Sequence, residues 1–511
     1  MPNQKSNIIN TVVIITAATA ASKLLGFVRE MVIAYVFGAG AVTDAYAVAA
    51  RFVTTAGLLV SVYLAVVFVP TYVRIRQNQG EESALRFSNN AVSVSFTINV
   101  LLMILLQIGA PLVLRFTGFG AEQASLALVG VRIALLQLPF LTFVHFFGGY
   151  LTARKSFLGP NLIGIPLNIA TIALCLVLGT QSGVVGLTIA CSLGIVAQIL
   201  VYLIWLPKEK YRYSFLPRFN TPEMRAGVKI LIPALLGSAL IELNLWVDTF
   251  IATFLGEGNV AAIVFASRLI SFVSGLIVFP AAGMAFAYMS EYAARNEISK
   301  MLGTLWRTIR MILFVVLPII IISIPSGFDI VRLVYQRGQF TLEATILTGS
   351  ALIWYLPGLL GLALHTFLLR FFYVLQDTKT PMFCGIFSIS VNIVLSIILS
   401  RYMGIAGIAL ATSVGSGLSS VLLLIALRLK LGPMGFGETA RDSLKLLVCV
   451  APCALAVLGV RFLLQGQNSL IRFAASVCVG GIIYIISAFL LKGMALRDLI
   501  EILRARFIKT I

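Results

Sequence analysis

Ser22-Lys23-Leu24-Leu25-Gly26-Phe27-Val28-Arg29-Glu30, followed by Phe37-Gly38-Ala39-Gly40-Ala41-Val42-Thr43-Asp44, lies within and just after an apolar run that opens at Ile8. Lys23 and Arg29 therefore fall where hydrocarbon is expected. A charge at the centre of a membrane helix costs about 2.5 to 3.5 kcal/mol on insertion scales. Two cations so close together at that depth read as a functional site.

Outward from this stretch the composition stays the same. The chain has 511 residues, of which 59% are hydrophobic and 11% charged, with a mean hydropathy of +1.01. That is too apolar for a soluble protein of this length. Apolar windows of about 20 residues recur from end to end, and no segment between them is long enough for a separate soluble domain. In lipid the backbone must bond to itself, which leaves helices and closed barrels. The ten-residue alternation of a barrel is missing, so the expected fold is an all-α polytopic membrane protein. Fourteen spans are expected, over 8–36, 44–73, 88–114, 124–152, 160–179, 184–206, 226–255, 260–290, 308–327, 344–374, 382–400, 404–427, 444–464 and 470–491. A cleavable signal peptide is not expected, because the first run carries Lys23 and Arg29 and lacks a small-residue cleavage site.

The connecting segments alternate in charge. One set holds Lys5, Arg74, Arg76, Arg86, Arg154, Lys155, the run from Lys208 to Lys229, Arg295, Lys300, Arg307, Arg310, Lys379, Arg428, Lys430, Arg441, Lys445 and the tail from Lys492. The other holds only Arg115, Arg332, Arg337, Arg401, Arg461 and Arg472. The positive-inside rule makes the first set cytoplasmic, so both termini are expected on that side of the cytoplasmic membrane. Much of the net charge of +19 is then a topology signal and not a nucleic-acid footprint. The basic tail is also placed to meet anionic lipid. Within the spans remain Lys23, Arg29, Arg51, Arg132, Arg268 and Arg370. Arg132 and Arg370 are near enough to span ends to snorkel, which leaves Lys23, Arg29, Arg51 and Arg268 as the informative cations.

The chain also repeats itself. Gly38-Ala39-Gly40-Ala41-Val42 is echoed by Gly256-Glu257-Gly258-Asn259-Val260, with Arg51 and Arg268 following at nearly the same distance. Asn168-Ile169-Ala170 and Gly186-Leu187-Thr188-Ile189-Ala190 are echoed by Asn392-Ile393-Val394 and Gly407-Ile408-Ala409-Leu410-Ala411. Copies six spans apart share one topology, as in carriers whose substrate site lies between two lobes. The expected organisation is an N-lobe over 1–220, a C-lobe over 221–435, and two additional helices with a basic tail over 436–511. A central cationic cavity follows from the placement of the four cations.

Catalytic and metal signatures are missing. The sequence has no P-loop, Rossmann glycine pattern, G-x-S-x-G or H-E-x-x-H. Cys175, Cys191, Cys384, Cys449, Cys453 and Cys478 all fall inside spans, where cysteine packs as a small hydrophobe. His145 and His365 stand alone in apolar surroundings, and Cys449 and Cys453 have no second pair to complete a metal site.

At its charged and glycine-rich stretches the chain resembles the MurJ (MviN) lipid II flippases of the multidrug/oligosaccharidyl-lipid/polysaccharide exporter superfamily. The resemblance runs from about residue 20 to 430. It is carried by Leu25-Gly26-Phe27-Val28-Arg29-Glu30, Phe37-Gly38-Ala39-Gly40 with Thr43-Asp44-Ala45, Phe68-Val69-Pro70, Ala266-Ser267-Arg268-Leu269, Tyr335-Gln336-Arg337-Gly338-Gln339-Phe340-Thr341 and Gln376-Asp377-Thr378-Lys379-Thr380-Pro381. The resemblance implies fourteen helices, two lobes, a groove for a polyprenyl tail beside the last two helices, and transfer of an undecaprenyl-linked peptidoglycan precursor to the outer leaflet. Lys23, Arg29, Asp44 and Arg268 match the family's charged positions, with Lys23 replacing an arginine, and Arg51 sits where members often have lysine. The family's second-helix segment with paired arginines is absent, since Thr54 to Ala65 is neutral, and Ser271 stands where many members carry glutamate. The resemblance further implies a sodium site, for which Asp248, Asn392 and Thr412 match and Ser396 replaces an aspartate; hard cations need several oxygens. Asp248 bonded to Asn392 without an ion is the alternative.

A pyrophosphate suits the planar fork of arginine. The expected mechanism has Arg29 and Arg268 gripping it, Lys23 and Arg51 as secondary charges, and Glu30 and Asp44 orienting the arginines between cargoes. The partners expected are a lipid-linked anionic glycan and membrane lipids, no nucleic acid, and a monomeric state. A flippase for exopolysaccharide or O-antigen intermediates is the alternative within transport. An integral-membrane glycan polymerase would need a large outer loop with acid/base residues, and no outer segment here exceeds about twenty residues.

Overall fold

The computed structural model describes residues 2–206, 211–215, 217–432 and 436–491. Lys208, Lys210 and the basic tail from Lys492 lie outside the described residues. Every regular element among those described is helical, as a chain with no water to satisfy its amides requires. In order they are α1 (Pro2–Phe37), α2 (Ala41–Gln79), α3 (Glu81–Arg115), α4 (Ala121–Leu135), α5 (Gln137–Ala153), α6 (Leu158–Leu178), α7 (Thr180–Trp205) and α8 (Pro222–Thr253). There follow α9 (Asn259–Ala294), α10 (Ile298–Ser323), α11 (Gly327–Tyr335), α12 (Leu342–Val374), α13 (Lys379–Met403), α14 (Ile405–Leu431), α15 (Phe436–Leu463) and α16 (Ser469–Leu490).

Among the described residues, eleven helices are long and apolar enough to cross a membrane, or twelve if α4 and α5, bent by 41° where they meet, form one span. The fourteen expected spans are thus met coarsely. The long helices outside that set are α1 and α8, of 36 and 32 residues.

The repeat seen in the sequence reappears as a local distortion. In α2 the turn Leu64–Phe68 is a π-helix, and Pro70 follows it. In α9 the turn Ser274–Val278 is a π-helix, and Pro280 follows. A proline inside a helix has no amide proton, and its ring crowds the carbonyl four residues back. Widening the preceding turn by one residue relieves that crowding without ending the helix.

By contact the chain divides into a unit of Met1–Ala261 with Arg337–Thr341 and a unit of Ala262–Gln336 with Leu342–Ile511. The first has a core rich in aromatic rings, among them Phe68, Tyr72, Phe87, Phe146, Tyr150 and Tyr211. Ring centroids in this cluster lie 4.6 to 6.0 Å apart in tilted, stacked and edge-on pairs, each contributing about 0.5–1.5 kcal/mol beyond the area it buries. Asn89 and Asn90 of α3 extend the cluster by fastening the stretch after α7. Asn89 Nδ2 donates to the Arg212 carbonyl at 3.0 Å, and the Arg218 amide donates to Asn90 Oδ1 at 2.6 Å. Helix α8, which the repeat counts with the second copy, packs on α2 within this first unit.

The second unit is built on Phe367, Leu368, Phe371 and Phe372 of α12, against α9, α10 and α14. A separate cluster of Phe314, Leu317, Cys449, Cys453, Val457 and Tyr484 seats α15 and α16 on α10. The pair that the repeat leaves over is therefore joined to its unit by its own small core.

Candidate functional site

Helix α1 presents Lys23, Arg29 and Glu30 from a stretch gripped by α6. Asn168 Nδ2 donates to the Ser22 carbonyl at 3.1 Å, and Gly26 lies against the Asn168 amide. Arg29 Nη2 donates to Glu30 Oε1 at 2.7 Å, with the two side chains 21% and 11% exposed. The rest of the guanidinium is less well satisfied, since Arg29 Nε is buried with no hydrogen-bond partner. A buried donor without an acceptor costs about 1–3 kcal/mol. An anion reaching Arg29 would recover that cost. Lys23 is exposed and Arg51 half-buried, and Thr54 Oγ1 donates to the Arg51 carbonyl one turn on.

Asp44 is treated very differently. It is fully buried, and three donors converge on it: the Gly258 amide at 2.6 Å, the Ala261 amide at 2.7 Å and Gln123 Nε2 at 3.2 Å. Asp44 therefore does not orient an arginine, contrary to expectation. It closes the N-terminus of α9, where amides have no partner within the helix and a negative charge is favoured. The exchange is mutual, because Glu257 Oε1 accepts from the Ala41 amide at the N-terminus of α2, at 2.9 Å. The same place takes in the segment Arg337–Thr341, whose Gln339 amide donates to the Tyr35 carbonyl at 2.9 Å. Both sides of that contact need glycine. A Cβ on Gly38 would come within 2.5 Å of the Gln339 carbonyl oxygen and one on Gly338 within 2.4 Å of the Tyr35 oxygen, and both residues have positive φ.

In the second unit Arg268 is exposed on α9. Asn392, Ser396 and Thr412 lie on α13 and α14, with Asn392 Nδ2 donating to Thr412 Oγ1 at 3.4 Å. Asn392 Oδ1 is buried without a partner, an oxygen of the kind a hard cation takes. Asp248 is buried on α8 in the first unit. Among the described residues no group of three or more histidine, cysteine or acidic side chains could hold a metal.

The contacts of three acids were not foreseen from the sequence. Glu242 lies in the apolar middle of α8 and accepts from Thr55 of α2; a lone acid near the midpoint of a span was the available signal. Asp329 of α11, 2% exposed, accepts from Arg461 Nη1 of α15 at 2.6 Å and from Arg472 Nε of α16 at 3.0 Å. Burial would raise its carboxyl, but the hydrogen bonds from Arg472 and Arg461 outweigh that and hold it below the usual carboxylate range. Asp377 caps α13 through the Lys379 and Thr380 amides and meets Lys430 Nζ at 2.7 Å. These contacts, Lys430 first, hold its carboxyl well below the usual range. The two histidines are not alone: His145 meets Ser61 Oγ at 3.4 Å, and His365 meets Ser419 Oγ at 2.8 Å.

The family model described as "Lipid II flippase MurJ" matches residues 33–478. The chain belongs to the MurJ family. Among curated MurJ relatives, the "Probable lipid II flippase MurJ" of Rhizobium meliloti (strain 1021) is 28% identical over 424 residues, 80% of this chain and 78% of that one. The protein of the same description from Vibrio cholerae serotype O1 is 28% identical over 435 residues, 82% of each chain. A solved structure described as "Lipid II flippase MurJ, inward closed conformation" superposes with a TM-score of 0.77 at 23% identity, covering 96% of this chain and all of the other. A multidrug resistance MATE family transporter in an inward-facing conformation superposes with a TM-score of 0.68 at 17% identity, over 83% of this chain and 98% of its own. MurJ and MATE structures thus share this helical fold.

Proposed function

We propose that this MurJ-family protein is a lipid II flippase. It carries the undecaprenyl-pyrophosphate-linked peptidoglycan precursor from the inner to the outer leaflet of the bacterial cytoplasmic membrane. The observation that carries this reading is the family match over residues 33–478. In the finer reading α1 and α8 join the other spans to make fourteen, both termini are cytoplasmic, and the protein acts as a monomer.

The mechanism follows from charge. A pyrophosphate headgroup is too polar to cross hydrocarbon unaided, and arginine binds it through two parallel hydrogen bonds. Arg29, with its buried Nε lacking an acceptor, is the first anchor, Arg268 the second, and Lys23 and Arg51 add charge. Glu30 holds Arg29 between cargoes. In this reading an anion bound by a cationic site relieves the mutual repulsion of its charges, and alternating access of that site to each side carries the anion across. A membrane potential negative inside favours outward movement of the anion at about 2.3 kcal/mol per charge per 100 mV. A sodium ion is a further part of the proposal, with Asn392 as its donor in the second unit, supported by the buried and unpartnered Asn392 Oδ1.

The test is Arg29→Ala or Arg268→Ala in cells depleted of their own flippase, with outer-leaflet precursor as the readout. Loss of outer-leaflet precursor is expected with the variant still folded in the membrane. Wild-type levels from either variant would overturn the reading.

A further inference from the structure

The stretch that joins α7 to α8 doubles back on itself along α3. Asn89 takes one end of it, because Asn89 Nδ2 donates to the Arg212 carbonyl at 3.0 Å and to Ser214 Oγ at 3.2 Å. Asn90 takes the other end, accepting from the Arg218 amide at 2.6 Å and donating to the Arg218 carbonyl at 3.1 Å. Between these two pins the chain runs further along the helix. The Tyr213 hydroxyl lies 3.3 Å from Ser93 Oγ, and the Phe215 ring meets Phe96 edge-on at 6.4 Å. Phe96 is two turns beyond Asn89, about 10 Å along the axis. It adjoins the half of α3 where Leu101, Ile104 and Leu105 are exposed, the surface a membrane helix turns to lipid. The backbones of Arg212 and Arg218 thus stand at one level near the start of α3, and Phe215 stands deeper, toward the apolar half.

The pins hold Arg212 and Arg218 by their backbones, and both arginine side chains are exposed. So are the aromatic rings between and beside them: Tyr213 is 40%, Phe215 56% and Phe219 54% exposed. Rings of that size, fixed in place at the edge of a span, belong at the boundary between headgroups and acyl chains. The acids at this end of the unit are already engaged, Glu81 by Arg76 and Arg154 and Glu82 by Arg86. The patch therefore carries surplus positive charge. We propose that Arg212, Tyr213, Phe215, Arg218 and Phe219 form a docking site for an anionic phospholipid of the leaflet on the basic side of the membrane. The two guanidinium groups take the lipid phosphate through charge-assisted hydrogen bonds, and the rings lie among the first carbons of the acyl chains. Asn89 and Asn90 keep both arginines at headgroup depth while the aromatic tip reaches below them. This site is separate from the one given to the cargo, and it does not rest on the flippase reading.

The experiment uses the full chain in mixed vesicles of phosphatidylcholine and phosphatidylglycerol, with Phe215 replaced by photoreactive benzoylphenylalanine. The mass gained on irradiation identifies what the tip touches. A phospholipid adduct is expected, with phosphatidylglycerol enriched over its share of the vesicle. The double variant Arg212→Gln/Arg218→Gln should lower that enrichment at least about fivefold, the effect of one cation near an anionic surface. Asn90→Ala, which keeps both arginines and frees one pinned end, should lower it as well. Arg86→Gln, which removes an exposed cation one turn from Asn90 on the same helix, should leave it unchanged. An adduct to protein alone, or equal capture of the two phospholipids, would overturn the proposal. So would an enrichment that survives the double variant or Asn90→Ala, or one that falls as far in Arg86→Gln, which would mark a diffuse basic surface. A further set of vesicles contains the undecaprenyl-linked precursor, and its capture in place of phosphatidylglycerol would assign the patch to the cargo and overturn the phospholipid site. None of these outcomes touches the family match, so their failure leaves the flippase reading standing. Retained transport in Arg29→Ala would likewise leave the phospholipid site standing.

Discussion

Two charged residues of the first unit, Asp44 and Arg29, are satisfied to very different degrees. At the meeting of α2 and α9, Asp44 has two backbone amides and a glutamine amide on its carboxylate, and Glu257 returns the favour to α2. Along α1, Arg29 has one carboxylate and a buried Nε left over. A fully bonded buried charge is a structural fastener. One held with a donor to spare suits the proposed role of Arg29 in gripping an anion.

That contrast can be broken or sharpened by substitution. The largest effect is expected from Asp44→Ala, which strands the Gly258 and Ala261 amides; stability should fall by about 3–5 kcal/mol, read by thermal unfolding in detergent. Asp329→Asn should cost about 2–3 kcal/mol near neutral pH, because Arg461 and Arg472 lose their charged partner. Asp329 also gives a pH signature. Its carboxyl is lower in the fold than in the unfolded chain, so its stabilisation is complete above the unfolded value of about 3.9 and drains away as pH falls through the folded one. The parent should lose melting temperature on acidification below about pH 4, and Asp329→Asn should lose less.

Arg29→Lys tests the other side of the comparison. It keeps the charge but not the planar fork, so transport should fall about tenfold, or about 1.4 kcal/mol, with the melting temperature nearly unchanged. Equal loss of stability and transport would make Arg29 a fastener like Asp44. The smallest effect is expected at Asp377, where replacement by alanine removes a helix cap and should cost about 1 kcal/mol by the same melt.

Much of the design was readable before any coordinates. Lys23 and Arg29 stood out because charge in hydrocarbon is costly, and Gly38-Ala39-Gly40 matched Gly256-Glu257-Gly258 because both precede equivalent helices. Asp44 was picked out because it matches a charged position of the MurJ family, and was assigned the wrong partner. Its actual donors are backbone amides more than 200 residues away in sequence, which carry no side-chain signature. Asp329 with Arg461 and Arg472 escaped for the same reason, since an acid at one connection and two arginines flanking another look like ordinary surface charges until α15 and α16 are seated.

By itself, then, the sequence determined the helical membrane class and displayed its glycine-motif echoes and its in-span cations, because hydropathy, period and charge are local quantities that a single chain carries in the open. Tertiary structure alone decided which charges are spent and which are spare. It put α8 with α2, joined Thr55 to Glu242, and placed Asp44 on the first turn of α9. Those are pairings between distant segments, and the free energy of a buried charge depends on the partners it meets, not on its own position in the chain.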